Sequence, residues 1–260
     1  DCADIFGIRE NIRFNTSVST AVWDENTGTW NLDISSPTGA EKFICQSVIS
    51  AVGQLNRPSY PDIPGVASFK RDSWHSAQWN HDYDFSGKNV AVIGTGCSAV
   101  QFTPRVAEVA ANTTIFQRTP NWLMPRPQYQ QRLPESLLWC FDHIPHYHNW
   151  FRLHLFWRSH EGLLPRLELD PEWENPGDNS ISSENHELGL MLRLYLQSEF
   201  SEDSELLEKV TPNFTLGAKR FVIDDGLWAA TLRRDSVKLC TEEITSITET
   251  GIKTVDGEHT

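Results

Sequence analysis

An α/β fold is what this sequence predicts, and three stretches predict it. The first is Lys88–Val100, where the short β-branched run Val90–Ile93 meets glycines spaced G-x-G-x-x-A at Gly94, Gly96 and Ala99. The second is Thr113–Thr119, a β-like run closed by a cation, Arg118. The third is the connection Arg57–Gly65, where Pro58, Pro61 and Pro64 make a stiff, extended linker. Together they predict a Rossmann-type dinucleotide-binding domain over about residues 66–260, with a helical insertion over about 125–212. A separate smaller part occupies residues 1–65.

In chain order, the smaller part reads as short strands. Ile12–Phe14 looks like one. Val18–Asp24 and Thr29–Ser35 follow, divided by the turn Glu25–Gly28, and Glu41–Ala51 continues the pattern. Alternating Val22, Trp30, Leu32 and Ile34 suggest an antiparallel layer. Ser47–Gly53 reads as a further strand ending on glycine. Beyond the linker comes an aromatic-rich segment, Phe69–Asn80, with His75 at its centre.

The glycine run follows. Val90–Ile93 is apolar enough for a strand buried on both faces. Gly94 permits the tight turn, Gly96 lets a pyrophosphate approach the backbone, and Ala99 lets the next helix pack on the strand. That helix begins with N–H groups aimed at the anion. Gly94, Thr95, Gly96, Ser98 and Ala99 are therefore the expected pyrophosphate contacts. Arg118 lies 24 positions after Gly94, where an NAD site would carry Asp or Glu. With Gln117 and Arg118 there, and Thr119 beside them, the pattern favours the 2′-phosphate of NADPH.

Leu137–Phe141, Trp150–Trp157 and Leu188–Leu196 have the apolar content of helices that pack on such a core. His143, His146, His148, His154 and His160 are too irregularly spaced for a metal site. A cation pair, Lys219-Arg220, stands out in an otherwise acidic protein. A short helix near Leu227–Leu232, strands at Val237–Cys240 and Ile244–Glu249, and a hairpin through Gly251 and Asp256-Gly257 complete the chain.

The net charge of −13 argues against nucleic acid or anionic membrane as partners. No run has the length of a membrane span. Five widely spaced cysteines, none at metal-ligand spacing, read as reduced thiols of a cytoplasmic protein.

Phe69, His75 and Trp79 match the fingerprint F-x-G-x-x-x-H-x-x-x-W-(P/D), with Arg71 in the glycine position and Asn80 in the last. With Tyr60–Gly65, Gly87–Gln101 and Phe116–Trp122, these residues resemble the type I Baeyer–Villiger monooxygenases of the flavin-containing monooxygenase superfamily. The resemblance implies FAD and NADPH as cofactors. It also implies a small-molecule ketone and O₂ as substrates, and an ester or lactone product. It makes residues 1–65 part of a flavin-binding domain, with Val18 near the adenine. Placed between the two expected parts of the chain, His75 and Trp79 are expected to link domain movement to catalysis rather than perform a chemical step. By the same match Lys219 joins Arg118 at the 2′-phosphate, and Arg220 stabilises the negatively charged peroxyflavin. The family's separate FAD glycine loop has no counterpart before Gly94. The chain therefore reads as an internal fragment, expected to hold no FAD and to oxygenate nothing alone. An N- or S-oxidising flavin monooxygenase and a non-catalytic NADPH-binding fragment are the alternatives.

Overall fold

The computed structural model describes residues 2–260, so Asp1, the first residue of the expected flavin-binding part, lies outside the described residues. Its contacts separate two compact units. The first runs up to Pro58 and the second is Ser59–Thr260, with the division inside the proline-bearing linker.

The first unit holds a one-turn helix, α1 (Cys2–Ile5), and an antiparallel meander of β1 (Ser17–Asp24), β2 (Thr29–Ser36) and β3 (Gly39–Cys45). The β1–β2 turn closes because the Asp24 carboxylate accepts the Asn26 N–H at 2.9 Å and Gly28 takes φ 64°. Alternation along β2 buries Leu32 and Ile34 on one face, and Trp23 meets its register partner Trp30 at 5.5 Å. Two expected strands are absent. Ile12–Phe14 is irregular after a single 3-10 turn, and Ser47–Gly53 is unpaired, with Ile49 91% exposed. A β-branched run becomes a strand only where a neighbour completes its ladder. The meander ends at Cys45, and among the described residues nothing pairs with 47–53.

The second unit is built on a parallel sheet in the order β4 (Asn89–Ile93), β5 (Asn112–Phe116), β8 (Val237–Cys240), with α2 (Cys97–Ala107) as the crossover between β4 and β5. A parallel pair, β6 (Leu123–Pro125) and β7 (Val222–Asp224), falls between β5 and β8 in sequence. Helices α3 (Glu135–His143), α4 (Tyr147–Ser159), α5 (Ser183–Phe200) and α6 (Ser204–Val210) occupy the insertion, and α7 (Leu227–Leu232) precedes β8. An antiparallel sheet of β9 (Ile244–Ile247), β10 (Ile252–Thr254) and β11 (Glu258–His259) ends the unit.

The core gathers Val92, Val100, Ile115, Leu196, Phe200 and Trp228. The expectation of a first strand buried on both faces is corrected. Val92 is buried toward the core, but Ile93 is 43% exposed, because β4 is an edge strand with one face covered. Gly65 adopts φ 88°, and a Cβ there would collide with the Ile247 carbonyl, whose residue also donates its N–H to Pro64 O at 2.7 Å. The linker's end is thus pinned on β9.

The expectation that the whole insertion packs on the core holds for only part of it. α5 buries Leu188, Leu192, Leu196 and Phe200, whereas α3 and α4 bury none of their residues. His143 and His160 stack on Trp139 and Phe156 of their own helices and bond the carbonyls of those residues. Among the described residues no helix is long and apolar enough to cross a membrane.

Candidate functional site

The glycine turn sits at the carboxyl end of β4. Gly94 takes φ 98° and donates its N–H to Phe116 O at 2.8 Å, which ties the turn to the end of β5. Gly96 is the N-cap of α2, and the first i to i−4 bond of that helix runs from Val100 N–H to Gly96 O. The amides of Cys97, Ser98 and Ala99 therefore belong to the helix end that intrahelical bonds leave open. A Cβ at Gly94 or Gly96 would meet nothing within 4 Å, so the turn faces open space that a side chain would fill. Ala99 is buried against the core, while Ser98 is exposed at the mouth. Donors, space and helix end together suit a pyrophosphate.

Thr95 is buried, and Asn121 holds it: the Asn121 amide donates to Thr95 O at 2.6 Å and reaches Thr95 Oγ1 at 3.2 Å. Sequence reasoning did not single out Asn121. Its only signal is a polar residue just before the apolar Trp122-Leu123, and nothing in that pattern points back to the glycine turn.

A cavity of about 390 Å³ opens at the carboxyl ends of β5 and β8. Gln117, Arg118 and Pro120 line it after β5, and Thr241 lines it after β8. The remaining wall is Glu205, Glu208 and Lys209 of α6. Gln117 is buried and donates its side-chain amide to Lys209 O at 2.7 Å, which clamps the last turn of α6 to the end of β5. Lys209 Nζ lies 2.6 Å from the Glu205 carboxylate, and that hydrogen bond raises the ammonium above the usual lysine range. Thr119 is half-buried next to Arg118.

Lys219 and Arg220 are both exposed. Lys219 Nζ lies over the Phe214 ring, 4.7 Å from its centroid, and does not line the cavity at Arg118. The cation pair still passes close to the glycine turn, because Cys97 Sγ at the start of α2 contacts Phe221 O at 3.8 Å. The structure thus brings Arg118 together with Lys209, and sets the Lys219-Arg220 run beside the start of α2.

The Phe69–Asn80 segment folds within the second unit. Phe69 is half-buried after a 3-10 turn. His75 accepts the Ala77 N–H at Nδ1 and meets Tyr60 edge-on at 5.6 Å. Trp79 packs against Phe102 of α2 at 4.8 Å, in a cluster with Trp74 and Phe85. One end of the fingerprint is therefore fixed to the helix that carries the glycine turn. In the first unit, Val18 is an exposed residue of β1, next to a register shift.

The family model for flavin-binding monooxygenase-like proteins matches residues 2–141. The FAD-binding monooxygenase ktnD of Aspergillus niger is 35% identical over 266 residues, covering 100% of this chain and 41% of that protein. A Baeyer-Villiger monooxygenase of Pseudomonas aeruginosa is 31% identical over 258 residues, covering 98% of this chain and 45% of its own length. Among solved structures, OTEMO in complex with FAD and NADP superposes with a TM-score of 0.73 at 29% identity, covering 99% of this chain and 53% of that one. The chain spans about half the length of the relatives it matches, or somewhat less. With a glycine turn between strand and helix and a family match across more than half its residues, the chain belongs to the flavin-binding monooxygenase-like family.

Proposed function

We propose that this chain carries the NADPH-binding part of an FAD-dependent Baeyer–Villiger-type monooxygenase. The observation that carries the reading is the open glycine turn at the carboxyl end of β4, which leads directly into the start of α2. In an open parallel sheet, ligands bind in the crevice outside the carboxyl ends of the strands. The pyrophosphate would rest on the amides of Gly96, Cys97, Ser98 and Ala99, with Thr95 keeping the turn in shape through Asn121. The adenosine end would extend toward Arg118 and Thr119, whose cation and hydroxyl suit a 2′-phosphate. Lys219 and Arg220, running beside the start of α2, would serve the phosphate and the flavin edge respectively.

The sequence contains one glycine loop of this kind, and it fits NADPH. FAD needs a pyrophosphate loop of its own. Residues up to about 65, Val18 among them, would supply the flavin-binding part with a meander, a one-turn helix and a 3-10 turn. The bound flavin would supply the oxygen insertion next to a ketone carbonyl, giving an ester or lactone. Relatives bearing the Baeyer–Villiger name support that reaction class. The packing of Trp79 on α2 supports a role for His75 and Trp79 in transmitting movement rather than in a chemical step. A cytoplasmic location belongs to the same reading and is supported by five unpaired thiols.

The test is a calorimetric titration of the chain with NADP⁺ and NAD⁺, repeated with Gly96→Val. NADP⁺ is expected to bind more tightly by about 1–3 kcal/mol, through charge-assisted bonds to the 2′-phosphate. Gly96→Val is expected to abolish binding of both while leaving the thermal midpoint close to the parent's. Equal affinities for the two nucleotides would sink the NADPH assignment. In an extended protein that includes a second glycine loop, turnover of a ketone in preference to a sulfide or amine would establish the reaction class.

A further inference from the structure

We infer that Lys209 of α6 is a specificity-determining residue for the nucleotide: it supplies, beside Arg118 and in addition to Lys219, a further cation for the 2′-phosphate. The inference rests on the glycine turn being an NADPH site and adds a residue to it.

The geometry follows from the sheet. β4, β5 and β8 run parallel, so their carboxyl ends form one rim. A pyrophosphate held at the end of β4 directs the attached adenosine along that rim, toward the ends of β5 and β8. That is where the cavity of about 390 Å³ lies, and Arg118 and Lys209 are the two cations that line it. Lys209 is not there by the chance sweep of a surface side chain. The buried Gln117, next to Arg118, grips the Lys209 carbonyl at 2.7 Å and fixes the helix end against the strand end.

The bland alternative is an ordinary Glu-to-Lys pair at i, i+4 on a helix surface. What sets Lys209 apart from such a pair is its place in the cavity lining beside Arg118, with its side chain 32% exposed against 78% for Glu205. An ammonium has three donors. One reaches Glu205 at 2.6 Å, and the others remain for phosphate oxygens.

Charge balance makes the residue decisive. The cavity lining holds two cations, Arg118 and Lys209, against two carboxylates, Glu205 and Glu208, and the carboxylates of Glu242 and Asp203 also act on the Lys209 ammonium. Without Lys209, Arg118 alone faces these carboxylates, which opposes a dianionic 2′-phosphate more than an unphosphorylated ribose. Removing the Glu205 charge lessens that opposition and favours the phosphate.

The experiment titrates the full chain with adenosine 2′,5′-bisphosphate and with AMP, comparing the parent, Lys209→Met, Lys209→Arg and Glu205→Gln, with a thermal midpoint for each. Lys209→Met is expected to weaken the bisphosphate about 10-fold and leave AMP within about 2-fold, as loss of a charge-assisted bond to one group requires. Lys209→Arg is expected to restore most of the bisphosphate affinity, and Glu205→Gln to raise it about 2- to 5-fold. An equal loss for both ligands in Lys209→Met would overturn the inference, and so would no change for either. If the parent bound NADP⁺ normally, only the assignment of Lys209 would fall. A parent that bound neither NADP⁺ nor the bisphosphate would overturn the NADPH site itself, and this inference with it.

Discussion

Helices α4 and α5 come from the same insertion and are comparably rich in large apolar residues, yet they have opposite fates. α5 buries Leu188, Leu192, Leu196 and Phe200, each four positions from the last, so one narrow stripe faces the core. α4 spreads Trp150, Phe151, Leu153, Leu155, Phe156 and Trp157 around its circumference and buries none of them. Polar anchors divide the two in the same way. Asn185 in the first turn of α5 is buried and donates to Arg166 O at 2.7 Å and Leu216 O at 3.1 Å. His186 and Arg193 of α5 both reach the Asp178 carboxylate, at 2.7 and 3.2 Å. The histidine bonds at the ends of α3 and α4 return to their own helices. Apolar content therefore does not place a helix. A stripe in register with a core does, together with polar groups that find partners outside the helix.

The largest expected contrast lies in the stripe itself. Leu192→Ala should destabilise the chain by about 2–5 kcal/mol, because it leaves a cavity in a side chain's fully enclosed place. Leu153→Ala on α4 should stay within about 0.5 kcal/mol, as exposed substitutions do. Urea midpoints of the two variants test this, and similar shifts would erase the distinction.

Next is the amide anchor. Asn185→Ala strips the partners from two carbonyls, of which Leu216 O pairs with the amide in a fully buried bond, and should cost about 1–3 kcal/mol. His160→Ala, which removes only a contact within α4 and its end, should be nearly silent in the same assay.

The Asp178 anchor gives a pH signature. Burial works to raise this carboxyl, but hydrogen bonds from Ser180 and His186 outweigh it, and the group is held well below the usual carboxylate range. As pH falls, the unfolded chain therefore takes up this proton before the folded one does. The stabilisation is whole above the ordinary aspartate value of about 3.9 and drains away as pH falls below it. Asp178→Asn should be less stable than the parent at pH 7 and should converge on it in acid. A constant gap between pH 7 and pH 3 would show that the charge is not what Asp178 contributes.

The smallest effect concerns the glycine turn, whose partner is also distant in sequence. Asn121→Ala should cost the fold on the order of 1 kcal/mol for the bond lost to the Thr95 carbonyl, and should also weaken NADP⁺ several-fold. Calorimetry beside a thermal melt would separate that outcome from general loosening.

Much of this protein was legible locally. The strand, glycine turn and helix of Val90–Ala99, the meander turn at Glu25–Gly28 and the stiff linker each depend on residues within a few positions of one another. Turn dihedrals, side-chain period and proline geometry act over that range, so the sequence alone determined them. Ser47–Gly53 shows the limit, since its β-branched residues state a preference that only a neighbouring strand can satisfy. Tertiary structure alone decided which apolar helix would be buried and which residues would share the cavity with Arg118. Gln117 and Lys209 meet across 92 positions of chain, and Asn121 reaches back 26 to Thr95. Neither spacing leaves a periodic trace. Such contacts arise only when β5, α6 and the glycine turn are packed on one core, where burial leaves each polar group no water to bond and compels it to find that partner.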